Sequence, residues 1–186
     1  ENNIWMINVG SQYSTSKRAV DMAVKYPVGV FAAIGLHPIH VNEESKSINS
    51  FPPSFSLRKN SVFDYENYKE LAKSHKVVAI GEIGLDYKSE YASFKEKQKE
   101  HLLQQLNLAE ELDLPVIFHC RLAHDELIQI LNTQYPTPNS KLKGVVHCFT
   151  GNREQANQYL AIGFYLGFNG IIFKLDLTEV IQRTPL

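Results

Sequence analysis

Four polar residues stand where short apolar runs end, and their side chains are of the kinds that bind metal ions. Glu82 follows Val77-Val78-Ala79-Ile80-Gly81, and His119 follows Pro115-Val116-Ile117-Phe118. His147 follows Gly144-Val145-Val146, and His37 follows Phe31-Ala32-Ala33-Ile34-Gly35-Leu36. A charged or imidazole group in such a place is costly to bury unless a partner holds it. One carboxylate with two imidazoles suits zinc, and it also serves manganese or iron. The two oxygens of Glu82 could bridge a pair of ions. Two divalent ions about 4 Å apart can activate a water and stabilise the leaving oxygen of a phosphodiester. Taken singly, a strand-end Glu is more often a salt-bridged surface group, and a strand-end His a structural one. Equivalent placement on successive strands is what favours a shared metal.

Neighbouring residues fit around these four. Side chains alternate along a strand, so Arg121 shares a face with His119, while Cys120 and Cys148 point away as small buried hydrophobes. Arg121 is expected either to clamp a phosphate bidentately or to pair with an acid. Asp86 is expected to orient its neighbours rather than to ligate. Gly81 and Gly84 leave room for a substrate beside Glu82. His40, His75 and His101 are expected at the surface, and His124 at the start of a helix.

The runs carrying these groups are short and rich in β-branched residues, and so read as buried strands. Strands are expected over 4–9, 28–36, 77–83, 115–119 and 143–148, and within 164–173. Helices are expected over about 14–26, 64–74, 93–113, 125–134 and 152–162, and from 177. Leu102, Leu103, Leu106, Ala109 and Leu112 stand at helical spacing on the longest of them. Residues 38–63 and 136–139 read as loops. Alternating strands and helices imply a parallel sheet with right-handed crossovers. With no internal boundary, residues 1–186 are expected to form a single α/β domain. Six strands fall short of the eight of a (β/α)8 barrel. An open doubly wound sheet is the rival, but its G-x-G-x-x-G signature is absent, and Gly81-Glu82-Ile83-Gly84 puts a carboxylate where a phosphate would sit.

Composition is that of an ordinary globular protein, with 44% hydrophobic and 21% charged residues. A net charge of −1, from 19 basic and 20 acidic residues, gives no reason to expect tight sequence-independent binding of duplex DNA. Two cysteines are too few for a disulfide scaffold, so a reducing cytoplasm is expected. No apolar run is long enough to span a membrane.

At the same residues the sequence resembles the TatD family of metal-dependent deoxyribonucleases, which are amidohydrolase-like TIM barrels. The resemblance rests on Gly35-Leu36-His37-Pro38, Val78-Ala79-Ile80-Gly81-Glu82-Ile83-Gly84-Leu85-Asp86-Tyr87, Pro115-Val116-Ile117-Phe118-His119-Cys120-Arg121 and His147-Cys148-Phe149-Thr150-Gly151. It implies an incomplete (β/α)8 TIM-barrel-like fold with about six of the eight βα units. It also implies that Glu82, His119 and His147 are metal ligands, with Glu82 bridging and catalytic, and that His37 and Arg121 are catalytic residues near the phosphate. One or two divalent ions (zinc, magnesium or manganese) are implied as cofactors. The family's H-x-H would lie before Glu1 and its E-T-D after Leu186, so the chain is expected to be an internal piece of a longer protein.

The expected activity is hydrolysis of DNA phosphodiester bonds, as an exonuclease on single strands or strand ends. Two alternatives stand beside it. One is a metal-dependent ester or amide hydrolase acting on a nucleotide or aminoacyl substrate. The other is a catalytically dead barrel that serves as a binding scaffold.

Overall fold

The computed structural model describes residues 4–42, 63–135 and 141–185. Among these residues, six strands alternate with six α-helices. The first half runs β1 (Met6–Val9), α1 (Tyr13–Ala23), β2 (Val30–Ile34), α2 (Tyr65–Leu71), β3 (Val77–Asp86) and α3 (Lys95–Glu111). The second half runs β4 (Val116–Arg121), α4 (His124–Gln134), β5 (Gly144–His147), α5 (Arg153–Ala161), β6 (Tyr165–Leu166) and α6 (Thr178–Arg183). All neighbouring strands pair in parallel, in the order β1-β2-β3-β4-β5-β6. Strand order that simply follows chain order is the progression of a barrel wall. A doubly wound sheet instead reverses its order at a switch point. The fold is therefore an incomplete (β/α)8-type barrel, and the open-sheet rival is excluded.

Alternation along β4 shows how the wall is built. Val116, Phe118 and Cys120 are buried under the helices, while Ile117, His119 and Arg121 are half-buried on the other face. Leu102, Leu106 and Ala109 of α3 are buried in the same core as Phe118. Full burial of a leucine or phenylalanine contributes roughly 1.5–3 kcal/mol, so this layer fixes which way β4 faces. Helix α5 begins as its sequence suggests: the Asn152 side chain accepts from Gln155 N–H, and Gln155 returns the bond to Asn152 N–H.

Four expectations change, and the first is that Cys148 is half-buried, unlike the buried Cys120. Strand β3 continues to Asp86 instead of ending near 83, because Leu85 and Asp86 pair with Cys120 and Arg121. His101 is buried, not superficial, at 5% exposure. It lies one helical turn from Gln98 and Gln105, on the covered side of α3. His40 is half-buried. Of the two loops, 43–62 and 136–140 lie outside the described residues. Residues 38–40 form a short 3-10 turn.

His124 opens α4 and is buried, with Nδ1 3.3 Å from the Tyr159 hydroxyl and the ring 5.1 Å from that of Phe149. Burial lowers its pKa to about 4. The unfolded chain, with a value near 6.5, takes up the proton first. The stability that comes from keeping His124 neutral is complete above that value and is lost as pH falls towards the folded one. Going from about pH 7.5 to about pH 5 should remove about 2 kcal/mol through this residue. Urea unfolding of the wild type and His124→Phe at both pH values checks this. Equal losses in the two proteins would absolve His124.

Candidate metal centre

Glu82 owes its direction to a bulge. Gly81 pairs with Ile117 and Ile83 with Phe118, so Glu82 is an extra residue in β3. A bulge of this kind re-aims the side chain it carries. Gly81 and Glu82 both turn to the face of His119, while Ile83 goes to the helix layer, where it is fully buried. Beyond the bulge, Gly84 is opposite His119 and Asp86 opposite Arg121.

Both nitrogens of His119 meet carboxylates. Nδ1 lies 3.2 Å from Glu82 Oε1, and Nε2 lies 3.0 Å from Asp86 Oδ2. Asp86 is fully buried and also accepts from Arg121, whose Nε is 3.0 Å from each oxygen and whose Nη2 is 2.5 Å from Oδ2. The Lys88 N–H adds a further bond at 3.0 Å. Burial pushes both carboxyls up, but their partners outweigh it. Glu82 ends below the usual range through the His119 bond and the nearby His37, His119 and His147 rings. Asp86 does so chiefly through Arg121.

His37 approaches from the end of β2. Its ring centre is 4.3 Å from that of His119, and its Nε2 is 3.9 Å from Glu82 Oε1. Burial, and then the nearby His119, lower its pKa to about 4. Its Nδ1 accepts the Ile39 N–H at 3.3 Å. In a neutral ring that leaves the proton on Nε2, which therefore faces the site as a donor.

Among the described residues, His37, Glu82 and His119 form a group whose potential ligand atoms all lie within 4.8 Å of one another. His147, the third ligand expected from sequence, stands outside that group. It ends β5 opposite His119, is exposed, and is near enough to act on the Glu82 charge. Arg121 is beside the site, but the Nε–Nη2 edge of its guanidinium is taken by Asp86.

Two residues not singled out from sequence secure the strand ends. Gln105 Oε1 accepts from Leu36 N–H at 2.6 Å, and its Nε2 donates to Leu36 O at 3.2 Å. Gln98 does the same for Asp86, at 2.8 and 3.0 Å. Both glutamines are about 1% exposed. The sequence did carry a signal for them. They lie seven residues apart, on the face that carries Leu102 and Leu106, and an amide on an apolar stripe needs backbone to bind.

The family described as TatD related DNase matches residues 1–186. A Bacillus subtilis protein named an uncharacterized metal-dependent hydrolase, YabD, is 35% identical over 183 residues, covering 97% of this chain and 64% of its own length. A protein of Erwinia tasmaniensis named 3'-5' ssDNA/RNA exonuclease TatD is 36% identical over 185 residues, covering 97% and 63%. The chain thus spans less than two thirds of the length of these relatives. Among solved structures, the TatD homologue YJJV of Escherichia coli superposes with a TM-score of 0.76 at 32% identity, covering 97% of this chain and 63% of that one. A TatD family hydrolase of Entamoeba histolytica gives 0.73 at 31% identity, covering 96% and 56%.

Proposed function

This chain belongs to the TatD-related DNase family, and on that premise we propose that it serves metal-dependent hydrolysis of DNA phosphodiester bonds at single strands or strand ends. The observation that carries the reading is the Glu82–His119 pair. A carboxylate oxygen and an imidazole nitrogen face each other at 3.2 Å, while the second nitrogen is held by a buried acid. That donor set, hard oxygen with imidazole, suits zinc and also serves manganese or iron.

Glu82, His119 and His147 would hold one or two divalent ions. When bound, such an ion supplies Lewis acidity, lowering the pKa of water and offsetting phosphate charge. The remaining roles belong to the chain's own groups. Glu82, kept ionised by its surroundings, contributes fixed negative charge for the cation. His37 is neutral and donates Nε2–H to a phosphate oxygen, a hydrogen bond strengthened in a site shielded from water. Arg121 adds positive charge beside the site, with Nε and Nη2 committed to Asp86. Among the described residues, no helix is long and apolar enough to cross a membrane. Two free cysteines favour a reducing cytoplasm.

The test compares a single-stranded oligodeoxynucleotide with small carboxylic esters, using the whole protein before and after chelation. Cleavage of the oligonucleotide is expected, falling at least about 100-fold on chelation and returning with zinc or manganese. Turnover of esters alone would favour an ester hydrolase. No turnover of either substrate with any divalent ion would favour a binding scaffold.

A further inference from the structure

We propose that Asp86 and Arg121 are a positioning pair that commits His119 to one orientation, with Nε2–H held by Asp86 and Nδ1 presented to the cation. The proposal rests on the reading of Glu82 and His119 as a cation site.

The first support is the saturation of Asp86. A carboxylate only accepts hydrogen bonds. Asp86 takes Arg121 Nε on both oxygens, Arg121 Nη2 and His119 Nε2 on Oδ2, and the Lys88 N–H on Oδ1. It is fully buried. An acid so occupied has no oxygen to spare for a cation, and the nitrogen that faces it must carry the proton. With a cation in place of a proton on the other nitrogen, the lone pair of His119 is then on Nδ1, the atom facing Glu82.

The second support is that the pair is built into the sheet. Asp86 and Arg121 are ladder partners, two residues beyond the Gly84–His119 partners on the same face. Gln98 grips both backbone groups of Asp86, so the carboxylate starts from a fixed point. Arg121 fixes its plane with a two-nitrogen fork, a geometry that lysine cannot reproduce. Metal-bound histidines commonly donate their second nitrogen to a carboxylate, and loss of such a partner weakens metal binding roughly 10- to 100-fold.

The experiment uses the whole protein. Zinc affinity is measured by chelator competition for the wild type, Asp86→Asn and Arg121→Gln. Nitrogen-15 spectra of cadmium-113-loaded protein show which ring nitrogen couples to the metal. In the wild type, His119 is expected to couple through Nδ1 and to keep a slowly exchanging Nε2 proton. Asp86→Asn should bind zinc about 10- to 100-fold more weakly and lose the single coupling pattern. Arg121→Gln should shift both readouts the same way by a smaller factor.

Thermal unfolding confirms that each variant is folded. The Arg121 side chain is 43% exposed, so its variant carries the test if Asp86→Asn does not fold. A folded variant with wild-type affinity and the wild-type Nδ1 pattern overturns the proposal. A wild-type protein whose bound metal couples to no atom of His119 overturns the cation-site reading itself, and the proposal with it.

Discussion

Glu82→Gln is expected to abolish hydrolysis, lowering the rate at least about a thousandfold, and to strip the protein of its divalent ion on dialysis. The substitution keeps the shape and removes one charge. The cation would then lose its only carboxylate among the three proposed ligands, with two neutral imidazoles remaining. Lewis-acid stabilisation worth several kcal/mol goes with it, and about 4 kcal/mol corresponds to a thousandfold in rate. The fold should tolerate the change, because the Glu82 side chain is 20% exposed and occupies a bulge rather than a paired ladder position. Metal content by mass spectrometry and initial rates on single-stranded DNA check both halves. Retention of metal together with an unchanged rate would remove Glu82 from the centre.

Gly84→Ala should damage the same centre through the backbone. Gly84 has a φ of +143°, which side-chain-bearing residues rarely adopt, and an added Cβ would lie 1.9 Å from the His119 carbonyl oxygen. That neighbour is the backbone of the adjacent strand, so no side-chain rotation relieves the clash. The β3–β4 pairing must part locally, and His119 moves with it. Overpacking of this kind typically costs about 1–3 kcal/mol, and the unfavourable φ adds about 1–3 kcal/mol more. A lowered denaturant midpoint is expected, together with loss of zinc binding. Gly170→Ala is a suitable control, since a Cβ there meets nothing within 4 Å. If Gly84→Ala matched that control in stability, the close approach would not hold in solution.

Much of this arrangement was legible in the chain because parallel strands announce themselves. Val77–Ile80 and Val116–Phe118 are apolar without alternation, as strands covered on both faces must be. Glu82, His119, His147 and His37 were found by asking which groups break such runs. What could not be read were relations between strands. The bulge at Glu82 appears only once β3 is set against β4. The capture of Arg121 by Asp86 depends on the register between residues 35 positions apart. Sequence left clamp and ion pair open for Arg121, and the geometry gives one edge of its fork to the acid. His101 follows no strand, yet it is covered, because Gln98 and Gln105, one turn away on either side, extend the buried face of α3 beyond the leucines.

Those two glutamines give α3 a further significance. Seven residues is close to two helical turns, about 10.5 Å of rise, and each amide grips the terminus of a different strand. One termination precedes His37 and the other contains Asp86. The helix is thus a ruler laid across the mouth of the barrel, with the glutamines as its graduations. Drift of that rod would carry both halves of the centre off their marks in concert.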